Sequence, residues 1–180
     1  MQNRLQPIRD DRVRRTKVDM QSALSGKATG DRATDLLRED HRKVRELFEQ
    51  YERAIAEQWD TRQSLAEEIS MQLEVHSRVE EEIFYPAIRR IDAEFVAHAI
   101  EQHQTVDQII ERLKQSSEEV HYDAAISELQ RLVEPHMDDE EALFERLEER
   151  VPEALGVLRA KIVKRKEQLT GSTQEMEGRS

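Results

Sequence analysis

The sequence predicts an all-α protein: an up-down-up-down four-helix bundle, preceded by a flexible basic arm and followed by a short fifth helix. Apolar and charged residues each make up 37% of the 180 residues, whereas there are five Gly, four Pro and 4% aromatics. That balance favours long amphipathic helices over a sandwich or barrel, which needs many turn residues and β-branched strands. Four segments also repeat apolar residues at alternating steps of three and four, the period of a helix.

Composition and charge narrow the classes of function. The absence of cysteine excludes disulfides, zinc fingers, iron–sulfur clusters and thiolate catalysis. The net charge is −11, yet residues 1–30 hold seven Lys or Arg against three Asp, so this arm is about +4 and the remainder about −15. An acidic body argues against nucleic acid as the partner. Because no apolar run could span a membrane and no signal-peptide core is present, we expect a soluble, cytoplasmic protein without a membrane partner.

The order of elements follows from the same patterns. Residues 1–33 lack sustained periodicity and form the arm, a solvated tail or a contact for a partner. Thr34 serves as the N-cap of the first helix, and Trp59-Asp60-Thr61 forms the break after it. The apolar face of this helix consists of Leu37, His41, Val44, Phe48, Tyr51 and Ile55.

Three further helices complete the predicted bundle, residues 34–150. Pro86 disturbs the end of the second helix. Asp92 caps the third helix. Residues 115–119 connect the third helix to the fourth, which begins near Asp123. Their stripes are, in turn, Leu65, Ile69, Leu73 (or Gln72), His76, Glu80 and Ile83; Val96, Ala99, His103, Val106, Ile110 and Leu113; and Ile126, Leu129, Val133 (or Leu132), His136, Glu140, Leu143 and Leu147. Short connections favour antiparallel neighbours.

Residues 151–180 are predicted to form a short helix and a disordered tail. Pro152 suits the first position of this fifth helix, with Leu155, Leu158 and Ile162 turned inward. The tail from Gln168 is polar and built of small residues.

Four histidines on four separate stripes are the main indication of function. They are His41, His76, His103 and His136, and two of them precede Glu80 and Glu140 by one helical turn. A polar side chain on an apolar stripe is costly unless something pairs with it. Imidazole and carboxylate without sulfur suit iron, manganese or zinc, so we predict a metal centre of these six residues. The alternative is a metal-free bundle with hydrogen-bonded core histidines.

The other polar residues near the stripes are expected to play lesser roles. His98 and His121 lie off the stripes, as surface or capping residues. Tyr51 and Tyr85 are packed aromatics or donors to a bound ligand. The flanking carboxylates, which we expect to support ligands or face solvent, are Glu81, Glu82, Asp139 and Glu141.

The site residues resemble the hemerythrin-like HHE cation-binding domain over about residues 34–150. The resemblance rests on Asp40-His41, the run His76 to Pro86 (HSRVEEEIFYP), His103, and the run His136 to Phe144 (HMDDEEALF). It implies a four-helix bundle around two non-haem iron ions bridged by carboxylates and an oxo or hydroxo group. It also implies that His41 and His76 are terminal ligands of one iron, that His103 and His136 are terminal ligands of the other, and that Glu80 and Glu140 bridge the two irons.

Two departures from that pattern bear on function. Oxygen-carrying hemerythrins use a fifth histidine where this chain has Ala99, so one iron would be less saturated than in a carrier. Pro135, directly before His136, removes a helical hydrogen bond and is expected to kink the fourth helix. The resemblance therefore implies a protein that binds dioxygen, nitric oxide or peroxide in sensing or stress defence, with a signalling protein as a candidate partner. The alternatives are a di-iron oxidoreductase consuming peroxide or nitric oxide, and a metal-free interaction module; the oligomeric state stays open.

Overall fold

A computed structural model describes residues 31–54, 58–116 and 118–177. Its long helices are α1 (Ala33–Arg53), α2 (Trp59–Val79), α4 (Ala93–Lys114), α5 (Glu119–Arg150) and α6 (Pro152–Glu177). A π-helical turn, Glu80–Phe84, and a short helix α3, Tyr85–Ile88, extend α2. The predicted all-helical fold is confirmed, since every element of the described residues is helical. In the same residues, no helix is long and apolar enough to cross a membrane.

The four bundle helices run antiparallel to their neighbours. Along each pair of helices, the contacting residues have rising numbers in one helix and falling numbers in the other. The pairs that show this are Asp40–His76 and Lys43–Glu68 for α1 and α2, Thr34–Glu148 and Arg45–Asp138 for α1 and α5, Gln102–His136 and Arg112–Glu128 for α4 and α5, and Glu81–His103 and Glu74–Lys114 for the α2 region and α4.

Several helix boundaries differ from the sequence prediction. The N-cap of α1 is Arg32, whose backbone N–H donates to Asp35, while the hydroxyl of Thr34 donates to Glu148 of α5. The predicted break at residues 59–61 is wrong, because α2 begins at Trp59. The N-cap role of Asp92 is confirmed: its carboxylate accepts from the N–H of Phe95 at 3.0 Å. Ile55 lies outside the described residues, as does the arm up to residue 30.

The helical geometry changes at the end of α2, just before Pro86. Since Pro86 has no N–H to donate within a regular helix, the chain widens into the π-helical turn, in which the N–H of Tyr85 reaches the carbonyl of Glu80. The extra residue shifts the helical phase, so Phe84 and Tyr85 are buried and Ile83, predicted to face inward, is only partly covered. Pro135 lies inside α5, which continues through it as one α-helix.

The core consists of two apolar clusters with a polar layer between them. One cluster holds Val44, Leu73, Val106 and Val133 with their neighbours toward one end of the bundle. The other consists of Ala33, Leu37, Val79, Phe84, Tyr85, Ile88, Val96, Ala99, Leu143, Phe144, Leu147, Leu155, Leu158 and Ile162. On α1, α2 and α4 the predicted histidine falls between the residues of the two clusters. On α5, His136 lies beside Met137, the last residue of the first cluster on that helix, so the four histidines share one level of the bundle.

Helix α6 is longer than predicted. It runs to Glu177, beyond the Gln168 at which the sequence indicated a disordered tail. Leu169 packs against the second cluster, and the hydroxyl of Thr170 donates to the carbonyl of Lys166, so the helix has partners past its predicted end. Leu155, Leu158 and Ile162 are buried, as their spacing indicates.

Candidate metal centre

The polar layer brings together all six residues predicted as ligands. Their ligand atoms form two groups, each within 4.8 Å: His41, His76, Glu80 and Glu140 in one, and Glu80, His103 and His136 in the other. Each of these residues is at most 6% exposed. Six titratable groups therefore share one dry space near the bundle axis.

The four imidazoles meet in two pairs. Nε2 of His41 lies 3.2 Å from Nε2 of His76, and Nε2 of His103 lies 3.1 Å from Nε2 of His136. Two nitrogens that bind one ion at about 2.1 Å and at right angles lie about 3 Å apart. Each pair thus has the spacing of two ligands on a shared ion.

The two carboxylates lie between these histidine pairs. Glu80 Oε2 is 3.2 Å from His76 Nε2 and 3.5 Å from His103 Nε2. Glu140 Oε2 is 3.2 Å from His41 Nε2 and 3.5 Å from His136 Nε2. Each glutamate can therefore reach an ion held by either pair.

Every ring nitrogen that faces away from the centre has its own acceptor, which we call the outer partner. These contacts join His41 Nδ1 to Glu141 (3.0 Å), His76 Nδ1 to Asp40 (3.4 Å), His103 Nδ1 to Glu81 (3.0 Å) and His136 Nδ1 to Gln102 (2.8 Å). An acceptor at Nδ1 keeps the proton there and leaves the Nε2 lone pair free for a metal. Neighbours on the helices therefore orient all four rings with Nε2 toward the centre.

Burial shapes the protonation of the centre. It lowers the pKa of His103 and of His136 to about 4, so both rings are neutral at pH 7. Burial and the adjacent Glu140 carboxylate raise the pKa of Glu80 well above its usual range. Burial acts in the same upward direction on Glu140, but the imidazoles around it, above all His136, hold its pKa well below the usual range. Without a cation, the carboxylates retain a proton between them.

Two carboxylate oxygens, Glu80 Oε1 and Glu140 Oε2, are buried and lack a hydrogen bond. Unpaired buried carboxylate oxygens are costly, and a cation is the partner that satisfies them. The donor set of four nitrogens and carboxylate oxygens without sulfur suits iron, manganese or zinc. The residues present therefore fit a pair of such ions.

A tyrosine hydroxyl also enters the layer. Tyr85 donates to Glu140 Oε1 at 2.6 Å, and its oxygen lies 3.3 Å from Glu80 Oε2 and 3.4 Å from His103 Nε2. Its ring stacks on that of His103. Tyr51, in contrast, donates to Asp123 at the far end of the core. Of the two tyrosines singled out from the sequence, only Tyr85 is a member of the centre.

The flanking residues divide as their helical angle indicates. His98 and His121 are exposed, and Ser116 contacts the latter. Glu81 and Glu141 are outer partners. The structure adds Asp40 and Gln102; the sequence analysis named Asp40 only as part of the Asp40-His41 motif and did not name Gln102. Asp40 directly precedes a ligand and Gln102 does the same, and adjacent helical residues do not share a face, so periodicity gave no signal for either.

An open groove runs beside the centre, between α2 and α4. It encloses about 1120 Å³ and is lined by Ser77, Arg78, Glu81 and Asp107 among others. Glu81 connects this groove to the centre, because its carboxylate also accepts from His103. Glu81 lines the groove, whereas the six predicted ligands are buried behind it.

Comparison with known proteins agrees with this geometry. A family model described as the hemerythrin HHE cation binding domain matches residues 32–147. The crystal structure of a hemerythrin HHE cation binding domain-containing protein from Mycobacterium kansasii is similar in fold, with a TM-score of 0.62 and 24% identity. That match covers 80% of this chain and 90% of the other. No curated protein gives a significant match.

Proposed function

Because the chain belongs to the hemerythrin HHE cation-binding domain family, we propose that its centre holds two iron ions and binds dioxygen, nitric oxide or peroxide. His41 and His76 would hold one ion, His103 and His136 would hold the other, and Glu80 and Glu140, which reach both pairs, would contribute to both sites. The observation that carries the proposal is the pairing of four Nε2 atoms at 3.1 and 3.2 Å around two carboxylates that reach both pairs.

The choice of a reactive ligand-binding centre over an oxygen carrier rests on Ala99. This residue is buried on α4, one turn before His103, and it offers no ligand atom. The ion on the His103 side therefore has one protein nitrogen fewer than the family's oxygen carriers supply, and an exogenous ligand can occupy the free position. Burial of the ligands restricts that ligand to a small molecule.

The residues of this chain supply the surroundings in which such a ligand binds. When bound, iron supplies one-electron redox chemistry and a Lewis acid. The outer partners hold the imidazoles in place, the two apolar clusters exclude water, and Tyr85 keeps a proton at its hydroxyl beside Glu140. We assign the protein to sensing or to defence against oxidative or nitrosative stress in the cytoplasm, and a protein partner would receive the signal of a sensor.

The second candidate is a di-iron oxidoreductase that consumes peroxide or nitric oxide. Tyr85 favours it, because a hydroxyl within 3.4 Å of a predicted ligand can give a proton to a reduced oxygen species. Peroxide consumption by the iron-loaded protein separates the candidates. Turnover far above that of the same amount of free iron identifies an enzyme, and turnover equal to free iron identifies a binder.

Iron content tests the centre itself. After reconstitution with ferrous iron without oxygen, we expect two irons per chain. His103→Ala should lower this number, whereas His98→Ala, an exposed histidine five residues earlier on the same helix, should keep both ions. A fully folded wild-type chain that takes up no metal would instead identify a metal-free interaction module.

A further inference from the structure

Helix α6 lies outside the four-helix bundle, yet one of its side chains reaches the metal centre. Lys166 Nζ contacts Oδ1 of Asp40, and the other oxygen of Asp40 lies 3.4 Å from His76 Nδ1. Side-chain exposure is 27% for Lys166, 11% for Asp40 and 5% for His76. A charged chain of contacts therefore runs from α6 to Nδ1 of His76, a predicted ligand.

The outer partners of the two histidine pairs differ in charge. On the side of His41, Glu141 is bound by Arg45 at 2.8 Å, and on the side of His76, Asp40 is bound by Lys166. On the other side, His136 faces the uncharged amide of Gln102. The His41/His76 pair therefore has outer carboxylates that each carry a cation of their own.

We propose that Lys166 is a positioning residue of the metal centre, through which α6 sets the donor strength of His76 and the reduction potential of the ion that His76 binds. This inference rests on the proposed iron centre. By this inference, α6 affects the properties of the metal centre in addition to packing against the core.

The direction of the effect follows from electrostatics. A carboxylate that accepts from Nδ1 makes an imidazole a stronger electron donor to its metal. A cation on that carboxylate withdraws electron density and weakens this effect, most of all in a partly buried position where solvent screens little. Lys166 therefore favours ferrous over ferric iron at this position. Its removal should lower the reduction potential.

The experiment compares three full-length variants after iron loading. Lys166→Met removes the charge and keeps the length of the side chain, and Lys166→Arg restores a cation. Arg165→Met is the matched control. It removes the cation next to Lys166 on the same helix and breaks the ion pair with Glu82, which is not one of the six predicted ligands. Spectroelectrochemical titration gives the reduction potential, and elemental analysis gives the iron content of each variant.

We expect Lys166→Met to raise the ratio of ferric to ferrous affinity about tenfold, which lowers the potential by about 59 mV for a one-electron couple. Lys166→Arg should return most of the shift, and Arg165→Met should leave the potential at the wild-type value. In an Asp40→Asn background, Lys166→Met should have no further effect, because the carboxylate that transmits it is gone.

The outcomes separate this inference from the proposed function. A wild-type chain without iron overturns both. Two irons per chain with equal potentials in wild type and Lys166→Met overturn the inference alone, as do equal shifts in Lys166→Met and Arg165→Met. If Lys166→Met does not fold, Lys166→Gln replaces it under the same criteria.

Discussion

At the scale of single residues, the centre is organised before any metal arrives. Each histidine has its Nδ1 on an outer partner, so each Nε2 faces the interior. Burial disfavours the charged form of His76, but the carboxylates of Glu80 and Asp40 raise its pKa well above the usual value, so an ion that binds this ring displaces a proton. The cost of this order falls on Glu80 and Glu140, two carboxylates that share a buried space. A site prepared in this way exchanges fold stability for metal affinity.

The first prediction concerns that cost and its dependence on pH. A carboxyl whose folded pKa is raised destabilises the fold above its ordinary value, 4.5 for Glu80, and the penalty disappears below it. Glu80→Gln removes this penalty and leaves an amide that can donate to Glu140. We expect metal-free Glu80→Gln to be more stable than wild type at pH 7, and the difference to vanish near pH 4.5.

Urea unfolding of metal-free protein at several pH values measures this difference. The same variant should bind less iron, since a bridging carboxylate has been lost. A wild-type protein that is the more stable one at pH 7 would contradict the pKa shift inferred from burial.

The second prediction concerns the hydroxyl of Tyr85. Tyr85→Phe leaves Glu140 Oε1 without its donor in a buried place, which should cost about 1.5–3 kcal/mol of unfolding free energy in the metal-free protein. Tyr51→Phe removes a similar bond, but the side chain of its acceptor Asp123 is 46% exposed and water can replace the hydroxyl. Its loss should be smaller, about 0.5–1.5 kcal/mol.

Denaturant unfolding of both tyrosine variants at pH 7 provides the comparison. Equal losses in the two would mean that the position of Tyr85 in the centre has no special energetic weight.

The sequence brings together the six central residues and names two of their four outer partners, Glu81 and Glu141, but not the roles of Asp40 and Gln102. His41, His76, His103 and His136 repeat in phase with the apolar stripes, so one-dimensional periodicity is sufficient to bring them together. Whether they bind metal stays a prediction. Their outer partners come from neighbouring helices, and contacts such as Lys166 to Asp40 depend on how α6 packs, which no local pattern encodes.

At the scale of the elements, the π-helical turn decides what the end of α2 contributes. It begins at the predicted ligand Glu80 and ends at Phe84, and it turns Tyr85 into the centre. The sequence indicated a disturbance at Pro86 but not its form, because in a regular helix Tyr85, five residues after Glu80, lies about 140° round the helix from that ligand. π-Helical turns within helices are frequent at functional sites.

The third prediction tests whether α6 belongs to the core. Leu155 is fully buried in the second cluster, whereas Val157, two residues along, is 65% exposed. Leu155→Ala should lower the free energy of unfolding by about 2–5 kcal/mol, since it leaves a cavity. Val157→Ala, the control, should change it by less than about 0.5 kcal/mol. Chemical denaturation measures both, and a loss for Leu155→Ala as small as that of the control would make α6 an appendage.

At the scale of the whole molecule, the antiparallel order of the bundle follows from the sequence with little additional information. Short connections and continuous stripes permit few other arrangements, and the contacts along α1, α2, α4 and α5 agree with it. The extent of α6 could not be predicted, because the sequence from Gln168 is polar and built of small residues, and the contact of Leu169 with the second cluster depends on how α6 packs.

The layered core also predicts how metal affects stability. Metal binds the folded chain, whose ligands are assembled, far better than the unfolded chain, whose ligands are scattered over about a hundred residues. Thermal unfolding of wild type should therefore shift upward on iron loading, and the shift should shrink in His103→Ala but not in His98→Ala. Equal shifts in the two variants would place the metal outside the polar layer.

The most direct test of the central claim is a crystal structure of the iron-loaded protein with anomalous differences collected at the iron edge. Two peaks about 3.5–4 Å apart are expected, one beside Nε2 of His41 and His76 and the other beside Nε2 of His103 and His136, with Glu80 and Glu140 between them. A single peak, or peaks away from these four histidines, would contradict the account.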